Sequence, residues 1–495
     1  MIWGILSYGV GTLLGFVGLV FFIALFVRDL TQREHTVLRN YPVIGHLRFL
    51  GERYGEFLRQ YFIVGDRDER PFDRATRRWV YRAAKNEPDV IGFGSTYPVT
   101  QGEALAFVPS PFPLSAAERM HAPPLLIGAD SCVQPFLARA VVNISGMSYG
   151  ALSEPAVRAL SRGAQGGGCW LNTGEGGLAP AHREGHCDLI MQVGTAKFGI
   201  RDAHGDLSDE RARALSLVVK AFEIKLSQGA KPGHGGVLPG RKVTPDVARI
   251  RGIEPFRDAI SPPGHADIHS ADTLLDALGR LRDLTGRPVG VKTALGDGRF
   301  VTELCDAIHR RGLSSAPDFL TIDGSEGGSG AVPQMLADHM GLPLGEALPL
   351  TVDILLQASL KDRIRVVASG KLVTPAKAAW ALCMGADFVA TGRGFLFALG
   401  CIQALRCHTD NCPTGITTHN RRLQRGLVVS EKSLRVARYG QAMNRDVDGL
   451  AHICGLAHAR LLRREHVLLM TPEGHKKGSE CYPYGRPLHR ARHHA

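Results

Sequence analysis

The chain has 495 residues, 44% of them hydrophobic and 21% charged, which is enough for two domains or for one large domain with additions. Ten cysteines spread through that length, three of them bunched between 401 and 412, do not make a secreted disulfide framework. The formal charge of +12 would admit nucleic acid, but no RNA- or DNA-binding motif and no basic–aromatic stripe accompanies it, so no nucleic-acid partner is expected.

Ile2 to Val27 is apolar and uncharged, long enough to cross a bilayer. No basic residue precedes it and no clear small-residue cleavage site ends it, unlike an ordinary cleavable signal. Arg28, Arg33 and Arg39 follow at once, and the positive-inside rule puts them on the cytoplasmic side. The expectation is a single-pass protein of the inner (cytoplasmic) membrane, with residues 1–27 as the transmembrane helix and a cytoplasmic catalytic domain. Gly11 and Gly15 have the small-xxx-small spacing that lets helices approach, although tolerated glycines are the plainer reading. Residues 28–135 form a membrane-proximal region, rich in arginine with aromatics and prolines interleaved. Within it, RNYPVIGHLRFL and ERYGEFLRQYF suggest a short amphipathic helix near the membrane, with an ordinary solvated helix face as the alternative.

From about position 140 a rhythm begins. Strand-like runs stand at 141–145, 169–173, 189–193, 222–226, 289–293, 319–323, 365–369 and 388–392, most of them separated by helix-like stretches such as Ser153 to Gln165 and Thr374 to Gly385. Eight apolar strands alternating with helices predict an α/β fold, a (β/α)8 TIM barrel, with a doubly wound open sheet as the rival. In such a barrel the site lies where the strands end. Polar and glycine residues gather there: Ser145-Gly146-Met147-Ser148, Asn172 to Gly177, Gln192, Lys292, Asp323-Gly324, Ser369-Gly370 and Thr391-Gly392. The last two turns would offer backbone N–H groups to a phosphate. Between the fourth and fifth strands runs a long insertion, Gln228 to Ser270, with the Gly- and Pro-dense stretch GAKPGHGGVLPGRKV. A loop of that length reads as a functional lid.

After the eighth strand comes CIQALRCHTDNCP, with Cys401, Cys407 and Cys412 closed by Pro413. Thiolates are soft ligands that suit iron–sulfur clusters or zinc, and three without a fourth nearby favour a three-iron cluster. His408 would serve zinc but is awkwardly placed beside Cys407, and three unconnected buried thiols remain the plain alternative. Residues 426–495 read as a helical extension ending in a loose tail, HRARHHA.

Four segments carry a family likeness: SGMSYGALS (145–153), NTGEGG (172–177), QGAKPGHGGVLPGRKVTPDVARIRG (228–252) with SPPGHADIHS (261–270), and GCIQALRCHTDNCPTGI (400–416). With them the chain resembles the FMN-binding synthase domain of glutamate synthase, over roughly residues 85–420. The resemblance implies an FMN-carrying barrel, residues 136–425, with a [3Fe-4S] cluster on Cys401, Cys407 and Cys412. It implies an oxidoreductase of the class acting on CH–NH2 groups, which adds ammonia to 2-oxoglutarate and reduces the imine to glutamate. Gln228, Lys231 and Arg251 would bind the oxo-acid. Glu175, Lys231 and Lys292 would be catalytic, and FMN would be held by Ser145, Met147, Ser148, Gln192, Lys292, Asp323, Ser369, Gly370, Gly392 and Arg393.

Two positions depart from the family pattern: His234 stands where an acidic residue is usual, and Gly264 where a proline is usual. The first cysteine is Cys132, so no N-terminal cysteine nucleophile is present and ammonia is expected from solution or from a separate glutaminase. No dinucleotide fingerprint accompanies the barrel, so ferredoxin or a separate reductase is the expected electron donor. Two other functions stay open. One is an FMN-dependent oxidoreductase or isomerase acting on another anionic substrate, and the other a non-catalytic membrane-bound electron-transfer subunit.

Overall fold

A computed structural model of the chain describes residues 2–97, 104–471 and 474–483. It divides into two units, residues 1–75 and 76–495. The terminal HRARHHA lies outside the described residues.

The first unit opens with a helix, α1 (Ile2–Thr31), and continues to a second, α2 (His46–Leu58). Apolar residues without proline allow α1 to run unbroken. Its stretch Gly9–Thr31 reaches a mean hydropathy of 2.6 over an apolar window that is wholly unburied, so by length and composition it can cross a membrane.

The second unit is built on eight strands: β1 (Val142–Ile144), β2 (Leu171–Asn172), β3 (Leu189–Val193), β4 (Ala221–Lys225), β5 (Val289–Thr293), β6 (Phe319–Asp323), β7 (Arg365–Ser369) and β8 (Phe388–Thr391). Almost every residue in them is buried, as expected for strands covered on both sides. They pair in parallel in sequence order, and β8 closes on β1 with Val389 beside Val142. The expected (β/α)8 barrel is therefore the observed fold, the open sheet is excluded, and each strand lies within two residues of its expected position.

Helices follow the strands in turn: α3 (Glu154–Gly167), α4 (Pro180–Arg183), α5 (Asp209–Ser216), α6 (Ala271–Thr285), α7 (Arg299–Arg311), α8 (Leu344–Gln357), α9 (Pro375–Cys383) and α10 (Arg393–Leu399). A long helix, α11 (Val429–Ile453), lies against α3. The two meet closely because Gly163 has no side chain: a Cβ there would overlap Val436.

The N-terminal end of the barrel is shut. A hairpin, Leu125–Ile127 paired with Phe136–Ala138, sends Ile127, Phe136 and Ala138 into one apolar cluster with Trp170, Phe319 and Phe388. Trp170 stacks edge-on against Phe136 and Phe388, with ring centroids 6.1 and 5.0 Å away. The other end, where the strands finish, carries the polar loops. A small antiparallel sheet joins Leu105–Phe107 to Val467–Thr471 and Gly474–Lys477.

The insertion after β4 is ordered by its own elements. It contains the pair Val237–Leu238 with Ala259–Ile260 and a short helix, Pro245–Arg251. Thr244 caps that helix by accepting the Val247 N–H, and Gly252 ends it in a left-handed conformation, φ 67°.

Candidate active site

Strand alternation decides what enters the barrel. Along β4, Glu223 turns inward, where its carboxylate accepts hydrogen bonds from Asn172 Nδ2 at 2.8 Å, Gln192 Nε2 at 2.6 Å and Thr321 Oγ1 at 2.7 Å. Two residues on, Lys225 reaches the strand end. Its Nζ donates to Glu175 Oε2 at 2.9 Å and to Gln228 Oε1 at 2.7 Å. Neither Glu223 nor Lys225 was expected from sequence; both sit in a run that showed only as a strand.

Lys292, at the end of β5, stands 3.4 Å from Asp323 Oδ2. Asp323 in turn accepts from the Ser369 hydroxyl at 2.8 Å and from the Gly229 N–H at 2.9 Å, which ties β6 and β7 to the start of the insertion. Burial pulls the Lys292 ammonium down, but Asp323, Glu223 and Glu175 outweigh it and hold the group above the usual lysine value. Lys292 is therefore a fixed positive charge inside the barrel mouth.

Glu175 is the opposite case. Burial alone would raise it, yet Lys225, Arg251 and Lys231 keep its carboxyl below the usual range. Lys231 is buried and donates to the Ala331 carbonyl at 3.1 Å, which links the insertion to the loop after β6. Burial lowers its pKa and Lys225 lowers it further, with Glu175 pulling the other way. Gln228 reaches the same loop through a bond from Nε2 to the Gly328 carbonyl at 3.4 Å.

Arg251 lies beneath these groups. Its Nη2 donates to the Tyr149 carbonyl at 3.1 Å and its guanidinium stacks 5.0 Å from the Phe198 ring centre. Burial brings its pKa down to about 10, and Nε has no hydrogen-bond partner. Arg251 thus supports Glu175 electrostatically from below the loop.

The expected cofactor residues lie around the same mouth. A Cβ on Gly146 would fall 2.8 Å from Asn172 Oδ1, and one on Gly392 would fall 3.3 Å from Met147 Sδ. Both glycines are thus closely packed, and their lack of side chains lets the first and last strand-end turns approach Asn172 and Met147 beside Ser145 and Ser148. Gly370, next to Ser369, has φ 144°, outside ordinary side-chain territory. Arg393 donates to the Glu326 carbonyl at 2.6 Å, and burial lowers it to about 10. The structure thus brings Glu175, Gln228, Lys231, Lys292 and Asp323 together. Gln192 is committed to Glu223, Arg251 to Tyr149, and Arg393 to Glu326.

The three cysteines occupy one loop whose backbone turns through left-handed residues Gln403, Leu405 and Asp410. Cys401 Sγ accepts the Gln403 N–H at 3.4 Å, and Cys412 Sγ lies 3.3 Å from the Thr414 hydroxyl. Burial opposes it, but the Thr414 and Thr417 donors keep the Cys412 thiol below its usual value. Cys401 goes the other way, pushed up to about 12 by burial. Among the described residues no group of three or more His, Cys, Asp or Glu is gathered tightly enough for a single metal ion. The donor chemistry nevertheless suits a cluster: soft thiols, with N–H and hydroxyl donors directed at sulfur. Lys242, fully buried in the insertion, binds this loop to the site. Its Nζ donates to the carbonyls of Ala151 at 3.1 Å, Cys407 at 3.3 Å and Thr417 at 2.9 Å.

The departures at His234 and Gly264 are both exposed, and a Cβ on Gly264 would meet nothing within 4 Å.

Residues 108–457 match the family model described as the conserved region in glutamate synthase. The chain is 38% identical to the glutamate synthase large subunit-like protein YerD of Bacillus subtilis, covering 92% of this chain and 94% of that one. It is 34% identical to an archaeal glutamate synthase [NADPH] of Methanocaldococcus jannaschii, over 65% of this chain and 60% of that one. It is 36% identical to the archaeal-type glutamate synthase [NADPH] of Thermotoga neapolitana, over 58% of this chain. The chain therefore matches little more than half the length of these NADPH enzymes, 60% and 54%. Solved structures are more distant: a flavocytochrome b2 mutant with pyruvate bound aligns at 15% identity with a TM-score of 0.42, covering 85% of each chain, and adds nothing to the barrel already read from strand pairing.

Proposed function

The chain belongs to the glutamate synthase family, and from that premise we propose that it is an FMN- and [3Fe-4S]-dependent enzyme. Its reaction joins 2-oxoglutarate, or a closely related oxo-acid, with ammonium, two electrons and two protons to give the amino acid and water. Ferredoxin or a separate reductase supplies the electrons. Ammonia comes from solution or from a separate glutaminase. The helix α1 anchors the chain in the inner membrane as a single pass, with the arginines that follow it and the barrel both on the cytoplasmic side.

The observation that carries this reading is the convergence of Lys225, Lys231, Lys292 and Arg251 on Glu175 at the mouth of the barrel. With Glu223 and Asp323 included, cations still outnumber carboxylates there, which suits a dianionic oxo-acid. FMN would be held by Ser145, Met147, Gly370 and Gly392 and would supply the hydride chemistry. Lys292 holds a positive charge at the strand ends that favours electron-rich groups beside it. Lys231 and Gln228 bind a substrate carboxylate and carbonyl at the start of the insertion. Glu175, held ionised by Lys225, moves one proton at a time: it takes one from the adding ammonia and gives it to the carbonyl oxygen, then takes a second from nitrogen and gives it to the departing hydroxyl, which leaves as water. Lys242 fixes the cysteine loop, whose Cys401, Cys407 and Cys412 would hold the cluster.

Gentle purification tests this. The protein is expected to release FMN on denaturation and to show a visible spectrum that 2-oxoglutarate perturbs. Finding FAD or no flavin would count against the cofactor. A response to another oxo-acid with none to 2-oxoglutarate would move the substrate and leave the barrel site standing.

A further inference from the structure

The first unit carries a surface that its own fold leaves bare. On α2, Leu47, Leu50, Tyr54 and Leu58 recur at spacings of three and four residues and so share one helix face. They are 65%, 54%, 50% and 52% exposed. The turns at either end extend the stripe with Ile44, Phe62 and Ile63, all still more exposed. Isolated exposed leucines are ordinary, but a continuous apolar stripe on one helix is not.

Its chemistry and its position both point to lipid. Exposed Arg48, Arg53 and Arg59 flank the stripe, and residues 28–63 carry six arginines against four carboxylates. Long cationic side chains beside leucine and tyrosine suit the headgroup layer, where stems lie on acyl chains and charges meet phosphate. The start of α2 is also fixed at the end of the apolar helix. The Asp29 carboxylate accepts the Val43 N–H at 2.8 Å and pairs with His46 Nε2 at 2.9 Å. His46 is the first residue of α2, and Asp29 lies in the last turn of α1. Where α1 leaves a bilayer, α2 therefore begins at the same level.

We propose that the Leu47–Leu50–Tyr54–Leu58 face of α2 lies in the surface of an anionic bilayer, as a second attachment beside the spanning helix. This rests on the proposed reading of α1 as an anchor. Its occupant is the lipid surface itself, ahead of a second copy of the chain or another protein.

The test uses the full chain in vesicles of phosphatidylcholine with phosphatidylglycerol, with and without bromine-labelled acyl chains. Leu50→Trp places a reporter on the apolar face, and Glu52→Trp places one on the polar side of the same helix. The emission each adds over the parent protein is read. The expected result is that the chain floats with the vesicles, that the Leu50→Trp emission is blue-shifted and falls at least twofold with brominated lipid, and that the Glu52→Trp emission stays unquenched. Replacing phosphatidylglycerol with neutral lipid should weaken the quenching. Flotation with both reporters equally unquenched would overturn the proposal while leaving the anchor intact, and that is also the result if a second copy covers the face. A chain that stays out of the vesicle fraction would overturn the anchor and this proposal together.

Discussion

Replacing Lys225 with Met should unbalance Glu175, and the size of the effect follows from the geometry. The two groups are 2.9 Å apart and only 12% and 17% exposed, so solvent screens them little. Losing a charge-assisted hydrogen bond to a carboxylate costs about 1.5–3 kcal/mol. Arg251 and Lys231 remain near Glu175 and hold the loss within that range. The pH dependence has a definite sign. The folded-state Glu175 pKa lies below its unfolded value of 4.5, so its stabilisation is fully present above pH 4.5 and is lost as pH falls through the folded value. In Lys225→Met, burial acts with less opposition, so that contribution shrinks at neutral pH and the variant's deficit relative to wild type narrows on acidification. Urea unfolding of wild type, Lys225→Met, Glu175→Gln and the double variant, each at neutral pH and at a pH below 4.5, closes the cycle. A coupling energy of about 1.5–3 kcal/mol at neutral pH is expected. A coupling below about 0.5 kcal/mol, as for an exposed surface pair, would refute the reasoning.

Lys231→Ala should weaken oxo-acid binding about ten- to a hundredfold, the loss of one charge-assisted contact, with flavin content unchanged, as measured by spectral titration. Cys412→Ser should remove most of the bound iron and leave most of the flavin, because the residues proposed to hold the two lie on different loops; metal analysis showing zinc as the only stoichiometric metal would contradict the cluster. Lys242→Met deprives three carbonyls of their shared donor. It should therefore loosen the 401–417 loop to limited proteolysis and lower iron content, and Lys242→Arg should restore part of both.

The barrel was legible because burial on both faces leaves its strands as near-continuous apolar runs, and because glycines and polar residues collect where those runs stop. The site was legible only in outline. Which residues of β4 face inward depends on register with β3 and β5, so Glu223 and Lys225 could not be told from ordinary strand residues. Lys242 looked like one cation among several in a loop, since only the folded insertion brings it to Cys407 and Thr417. Arg251 read as a substrate fork; its bond to the Tyr149 carbonyl and its packing on Phe198 are contacts that only the folded loops create. The hairpin that plugs the barrel, and the pairing of Leu105–Phe107 with Val467–Thr471, join segments whose partners are set by tertiary packing and carry no local signal.

The central claim is reductive amination at this barrel mouth, and anaerobic turnover tests it most directly. With an artificial low-potential donor, ammonium and 2-oxoglutarate, the full chain should form glutamate at one molecule per two electrons consumed, and Lys231→Ala should need far more oxo-acid to do so. Consumption of electrons with another anionic substrate, and no glutamate from 2-oxoglutarate at any concentration, would contradict the account.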